Sequence, residues 1–78
     1  MDMIITVLGT LWKFRPLNDR ARRWLRDNIA SDAIYHGAEL VVEARYAHDL
    51  KTIMEDDGLR LDMVATGARS LEMMRAQH

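Results

Sequence analysis

The residues of this 78-residue chain that could carry chemistry do not form a catalytic set. There is no cysteine, which excludes thiolate chemistry. The three histidines, at positions 36, 48 and 78, lack the close spacing of a zinc site, and the four glycines form neither G-x-G-x-x-G nor G-K-[ST]. The run from Glu55 to Gly58 lacks the alternating ligands and the distal glutamate of a calcium loop. We therefore predict a protein that is not an enzyme and has no catalytic residue, cofactor or metal.

One candidate binding surface is acidic. This acidic patch consists of Glu55, Asp56, Asp57 and Asp62. Its first three members crowd the C-terminal turn of a predicted helix, where the helix dipole disfavours negative charge by roughly 0.3–1 kcal/mol each. A local rule broken three times suggests a functional reason, namely docking on a basic groove of a partner. The alternative is an exposed, screened surface for which Lys51 and Arg60 supply compensating charge. Docking predicts that Asp56→Lys with Asp57→Lys abolishes partner binding while the fold stays intact.

A second candidate surface is basic. This basic patch consists of Arg20, Arg22, Arg23 and Arg26. These arginines share the outer face of the first predicted helix, and their guanidinium groups suit phosphate or an acidic partner. The alternative is a solvated helix surface, held by Asp19–Arg23 and Arg23–Asp27 pairs four residues apart. The spacing alone leaves both interpretations open.

The charge is uneven along the chain. Residues 1–30 hold six basic and three acidic residues, a net charge of +3, whereas residues 31–78 hold five and nine, a net charge of −4. The net charge of −1 for the whole chain is not the clear basic excess of a nucleic-acid-binding domain. Nine of the eleven basic residues are arginine, which suits planar recognition of carboxylate or phosphate but also results from a GC-rich genome.

Length and composition predict one small cytoplasmic domain over residues 1–78. The hydrophobic fraction of 49% is too high for a disordered chain. The lack of cysteine fits a reducing compartment. The longest apolar run, residues 3–8, is far short of the roughly 20 residues that span a bilayer. No lysine or arginine precedes Lys13, so the basic region of a signal peptide is missing. We expect no membrane partner.

The elements that must position the two patches alternate between strands and helices. Residues 3–8 predict a strand, and Gly9-Thr10 predicts either a two-residue hairpin or a bulge in one long strand that reaches Arg15. Asn18 is the predicted N-cap of a helix over about 19–30. The remaining elements are a short strand at 33–35, a strand at 40–46, a helix at about 47–57 closed by Gly58, a strand at 59–65 and a helical tail at 68–77. Trp12, Phe14 and Trp24 are predicted core residues.

This order matches a split β-α-β-β-α-β arrangement. We predict an α+β fold in which two helices pack on one face of an antiparallel sheet, with a short C-terminal helical tail. Ferredoxin-like topology is the nearest match. Met73 and Met74 on the tail suit either coverage of the sheet or self-association. An edge strand beside the short second strand favours a homodimer.

Two segments carry a resemblance to known proteins. They are FRPLNDRARRWLRDN, residues 14–28, and GAELVVEARYAHDL, residues 37–50. Together they resemble the short, uncharacterised proteins of alphaproteobacterial phages and prophages, the setting in which small anti-CRISPR proteins occur. The resemblance implies an inhibitor that binds a CRISPR surveillance complex and obstructs its DNA-binding path. It assigns no functional residue.

The leading interpretation is a small non-enzymatic binding protein that inhibits a larger nucleic-acid-handling complex, such as an anti-CRISPR protein. Its partner would be a host protein or ribonucleoprotein complex, with a CRISPR effector as the example that the resemblance implies. The alternative is a small nucleic-acid-binding regulator, antitoxin-like or a phage repressor accessory, that uses the arginine-rich first helix. The weak overall charge and the absence of a helix-turn-helix signal make nucleic acid the less favoured partner.

Overall fold

A computed structural model describes residues 1–65 of the chain. These residues form five strands and two helices: β1 (Met3–Leu8), β2 (Leu11–Pro16), α1 (Asp19–Asn28), β3 (Tyr35–His36), β4 (Glu39–Glu43), α2 (Ala44–Asp56) and β5 (Leu61–Ala65). The strands make one sheet in the order β3-β4-β2-β1-β5. The predicted α+β class is therefore confirmed, while the predicted helical tail lies outside the described residues.

The core lies between one face of the sheet and both helices. Alternate residues of a strand share a face, so Met3 and Ile5 of β1 lie on the same side as Phe14 of β2. Both helices bury their apolar side against this face. The core cluster contains Met3, Ile5, Trp12, Phe14, Ala21, Leu25, Leu40, Ala47, Met54 and Leu59. Trp12 and Phe14 are thus core residues as predicted, whereas Trp24 is half-buried and packs against the cluster.

The first two strands form a hairpin, which confirms one of the two interpretations of Gly9-Thr10. Leu8 pairs with Leu11 across a two-residue turn. Gly9 has a φ of +63°, the conformation that a type II′ turn requires at its first central residue. The bulged-strand interpretation is wrong.

The predicted fully antiparallel sheet is wrong at β1. This strand pairs antiparallel with β2 but parallel with β5, so the sheet is mixed. The elements from β2 to β5 keep the predicted strand–helix–strand–strand–helix–strand order. However, β1 lies between the first and the last strands of that series, and β5 therefore meets β1 instead of β2. The ferredoxin-like topology is not confirmed, because β1 is inserted between β2 and β5. No sequence pattern indicated that the hairpin would insert a strand there.

Helix α2 begins earlier than predicted. Residues 40–46 alternate between polar and apolar types, yet the chain turns helical at Ala44, whose N–H donates to the carbonyl oxygen of Thr10 at 2.7 Å. This contact with the hairpin turn is a tertiary feature that alternation cannot reveal. The short strand likewise lies at Tyr35–His36 instead of 33–35.

The end of α2 is as predicted. The N–H of Leu59 donates to the carbonyl of Met54 and that of Gly58 to Glu55, both at 3.0 Å. Together with the φ of +92° at Gly58, these bonds define a Schellman motif.

Neither helix within residues 1–65 is long and apolar enough to cross a membrane.

Strand β3, two residues long, forms one edge of the sheet, and β5 forms the other. In β5, Met63 and Val64 are each 41% exposed. The homodimer stays a prediction.

Candidate binding surface on helix α1

Helix α1 holds its arginines outward because its start and its buried side are both fixed. The Asn18 side chain is the N-cap, and its Oδ1 accepts the Ala21 N–H at 2.9 Å. Ala21 and Leu25 are buried against the sheet. Since residues three and four apart share one side of a helix, this burial turns positions 22, 23 and 26 toward solvent. We call Arg22, Arg23 and Arg26 the arginine surface.

A buried carboxylate supports the helix start. Asp2, 7% exposed, accepts the Asn18 side-chain N–H at 2.8 Å through Oδ1 and the Arg60 backbone N–H at 2.8 Å through Oδ2. The hydrogen bond from Asn18, followed by that from Arg60, lowers the pKa of the Asp2 carboxyl below its ordinary value. No sequence pattern singles out Asp2, because its two partners lie 16 and 58 residues away along the chain.

The arginine surface lines an open groove together with Asp19. The Arg22 guanidinium binds Asp19 Oδ1 at 2.8 Å, which lowers the pKa of that carboxyl. Arg26 Nε lies 3.2 Å from Asp27 Oδ1. Arg23 donates only to the backbone carbonyl of Asp19, at 3.4 Å, and makes no ion pair with the described residues. The predicted Asp19–Arg23 and Arg23–Asp27 pairs are therefore wrong. Asp19 pairs with Arg22, and Asp27 pairs with Arg26.

Arg20 does not belong to this surface. Its Nη2 donates to the carbonyl oxygen of Gly58 at 2.8 Å, just beyond the C-terminal end of α2. A guanidinium at this place stabilises the negative end of the helix dipole. The basic patch predicted from the sequence thus divides into three outward arginines and one arginine that joins the two helices.

A second side-chain contact joins the helices at the same place. Trp24 Nε1 donates to Asp57 Oδ2 at 2.7 Å. We call the contacts Arg20–Gly58 and Trp24–Asp57 the α1–α2 junction. The acid that seemed out of place at a helix end is therefore held by an indole N–H from the other helix. Substitution of Asp57 by lysine would lose this bond, so the Asp56→Lys, Asp57→Lys protein is expected to be less stable than the wild type.

The acidic patch is not assembled as one surface. Glu55 pairs with Lys51 at 2.9 Å, as compensation by Lys51 predicts, and Asp57 belongs to the junction. Asp62 lies in β5 next to Leu61, which packs against the core, so Asp62 is on the opposite face of the sheet. Asp56 and Asp62 are both exposed, and neither has an ion pair among the described residues. A partner-binding role for these acids stays a prediction.

A further groove separates α1 from β3, and sequence analysis missed it. It has a volume of about 280 Å³. Its lining residues are Pro16, Arg22, Leu25, Arg26, Tyr35 and Ala38. We call it the Tyr35 groove, because Tyr35, which is 43% exposed, lies beside the arginine surface. The only sequence signal was an aromatic residue in a short edge strand, which does not indicate its neighbour across the fold.

Within residues 1–65, no group of three or more histidine, aspartate or glutamate side chains is arranged to hold a metal ion. Lys13 Nζ lies 2.8 Å from His36 Nδ1 and 3.8 Å from Glu39 Oε1 on the sheet face away from the helices. In that same part of the chain, every buried side-chain nitrogen and oxygen has a hydrogen-bond partner.

Comparison with known proteins found no relative. No protein-family model, no curated protein and no solved structure matches this chain.

Proposed function

We propose that the protein is a small non-enzymatic binding protein that inhibits a larger nucleic-acid-handling complex, and that the arginine surface contacts a protein component of that complex. The observation that carries the proposal is the exposure of Arg22, Arg23 and Arg26 on one face of a capped helix, beside the exposed ring of Tyr35. Arginine and tyrosine are enriched where protein interfaces concentrate their binding energy.

A protein fits this surface better than nucleic acid does. Asp19 and Asp27 lie among the three arginines and pair with two of them. A phosphate backbone on this face would meet both carboxylates, and the net charge of −1 for the chain adds no long-range attraction. A protein partner carries both signs of charge and so matches a mixed surface.

The choice of complex rests on the resemblance of residues 14–28 and 37–50 to small phage and prophage proteins. It supports a CRISPR surveillance complex in the cytoplasm as the target, with inhibition by obstruction of the DNA-binding path. Helix α1 and its arginine surface lie within the first of these segments.

The test is affinity capture of the tagged 78-residue protein from a lysate that contains CRISPR effectors, with and without nuclease. We expect a defined set of proteins that survives nuclease treatment. Arg23→Gln with Arg26→Gln should abolish their recovery, because it removes two of the three outward guanidinium groups. The matched control is Arg45→Gln on α2, an exposed arginine that pairs with Glu43.

Two outcomes would contradict the proposal. One is recovery of partner proteins that vanishes with nuclease, which would favour a nucleic-acid-binding regulator. The other is equal loss of partners in the Arg45→Gln control. The free energy of unfolding of each variant should stay within about 0.5 kcal/mol of the wild type, as for surface substitutions in general, so that lost recovery reports on binding.

A further inference from the structure

The Tyr35 groove is apolar inside and basic at its rim. Leu25, 4% exposed, lies at its base, and Pro16 and the Tyr35 ring contribute further apolar wall. Its volume of about 280 Å³ lies at the lower end of the range for ligand pockets. The groove has room for a single large side chain.

The two arginines at the rim keep hydrogen-bond donors to spare. A guanidinium carries five N–H groups. Arg22 uses Nε and Nη2 on one oxygen of Asp19, and Arg26 uses Nε on Asp27. Within residues 1–65 the remaining N–H groups have no acceptor, so they are available for a further carboxylate, which arginine binds in a two-pronged geometry.

We propose that the Tyr35 groove receives an aromatic side chain of the partner protein, and that a carboxylate next to that side chain pairs with Arg22 and Arg26. This rests on the proposed function and names the part of the partner that the surface recognises: an acidic–aromatic peptide segment. The aromatic ring packs against Tyr35 and Leu25, and the carboxylate gives the contact its orientation.

A nucleotide fits the same groove less well. The edges of a base carry donors and acceptors that would lie unpaired against Leu25 and Pro16, and burial of unpaired polar groups is costly.

The experiment is a two-dimensional ¹H–¹⁵N NMR titration of the full chain with three probes. N-acetyl-L-phenylalanine carries the aromatic ring and the carboxylate, its carboxamide carries the ring alone, and thymidine 5′-monophosphate represents nucleic acid. We expect the acid to cause saturable shifts of the backbone amides of Leu25, Arg26, Tyr35 and Ala38, with a Kd at least tenfold lower than that of the carboxamide.

Variants separate the two halves of the contact. Tyr35→Ala should raise the Kd of both the acid and the carboxamide at least fivefold. Arg26→Gln should raise the Kd of the acid alone, because the carboxamide has no charge to lose. Arg45→Gln is the matched control and should change neither.

The inference is overturned if the acid gives no saturable shift at these amides, if the carboxamide binds as well as the acid, or if thymidine 5′-monophosphate binds more tightly than either. Shifts of the same amides on dilution of the protein alone would show that a second copy occupies the groove. Failure here is distinct from failure of the proposed function: partner capture that depends on Arg23 but not on Tyr35 would retain the arginine surface and reject the groove.

Discussion

The arginine surface and the C-terminal turn of α2 are both runs of like charge on a helix, yet the fold uses them differently. On α1, Arg22, Arg23 and Arg26 point to solvent, and the carboxylate partners of Arg22 and Arg26 are exposed neighbours on the same helix. At the end of α2, Asp57 is bound by Trp24 of the other helix. The arginines form an exposed surface, whereas the acidic run contributes Asp57 to the α1–α2 junction.

Tertiary contacts accommodate negative charge at the C-terminal end of α2. Three acids at the negative end of α2 raise the energy of an isolated helix. In the folded chain, Arg20 donates to the carbonyl of Gly58, Trp24 donates to Asp57, and Lys51 pairs with Glu55. The broken local rule therefore has a structural explanation before a functional one is needed. No comparable tertiary contact occupies Arg23 within residues 1–65.

The largest expected effect comes from Asp2, which ties the start of α1 to the segment that follows α2. Asp2→Asn should lower the urea midpoint strongly at pH 7. Asn18 Nδ2 and the Arg60 N–H both need an acceptor, and an amide offers one oxygen where the carboxylate offered two. Urea unfolding followed by circular dichroism measures the change. Asp32→Asn, at an exposed position, is the control and should leave the midpoint unchanged.

The same carboxylate predicts how stability depends on pH. The pKa of Asp2 is lowered in the folded protein from the ordinary value of 3.8, so the folded state favours the charged form. Its contribution is therefore complete above the unfolded pKa and is lost as the pH falls through the folded value. Midpoints measured from pH 7 down to pH 2.5 should decline less steeply below about pH 4 for Asp2→Asn than for the wild type. Equal slopes would show that Asp2 is not the group responsible. A residual slope is expected from Asp19, whose pKa is lowered by Arg22.

The next effect tests the junction through its glycine. Gly58→Ala should cost about 2 kcal/mol, because a φ of +92° strains any residue with a Cβ and because that Cβ would lie 2.9 Å from Arg20 Nη2. Gly37→Ala is the comparison: its φ is +65° and nothing lies within 4 Å of the new atom, so about 1 kcal/mol is expected. A double-mutant cycle of Gly58→Ala with Arg20→Ala isolates the crowding from the backbone strain. Strictly additive losses would mean that Arg20 is not displaced.

Sequence patterns predicted the structural features that depend on residues close together in the chain. The cap at Asn18 and the Schellman motif at Gly58 are local, and both are confirmed. The hairpin at Gly9-Thr10 is one of the two interpretations that the local pattern left open. The α+β class followed from the same patterns.

The long-range features were not predictable in this way. The insertion of β1 between β2 and β5 depends on strand pairing between residues 58 positions apart. The junction joins residues 33 and 38 positions apart, and the Tyr35 groove appears only when β3 meets α1. For the candidate site, the pattern identified the outward arginines but not the departure of Arg20 or the role of Asp57, because both depend on where α2 ends in space.

The smallest effect divides the acidic run itself. Asp57→Ala should cost about 0.5–1 kcal/mol, since it leaves Trp24 Nε1 without its acceptor at a partly solvated site. Asp56→Ala should be neutral or stabilising by a few tenths of a kcal/mol, because it removes an exposed negative charge from the last turn of α2. In a Trp24→Phe background, Asp57→Ala should cost nothing further, since the donor is already gone. If the two alanine variants have the same free energy of unfolding, the hydrogen bond from Trp24 does not contribute to stability. The acids of α2 would then form an exposed charged surface like that of α1. Changes of opposite sign in the free energy of unfolding at Asp56 and Asp57 would establish that contact with the α1–α2 junction, and not charge alone, decides the role of each carboxylate.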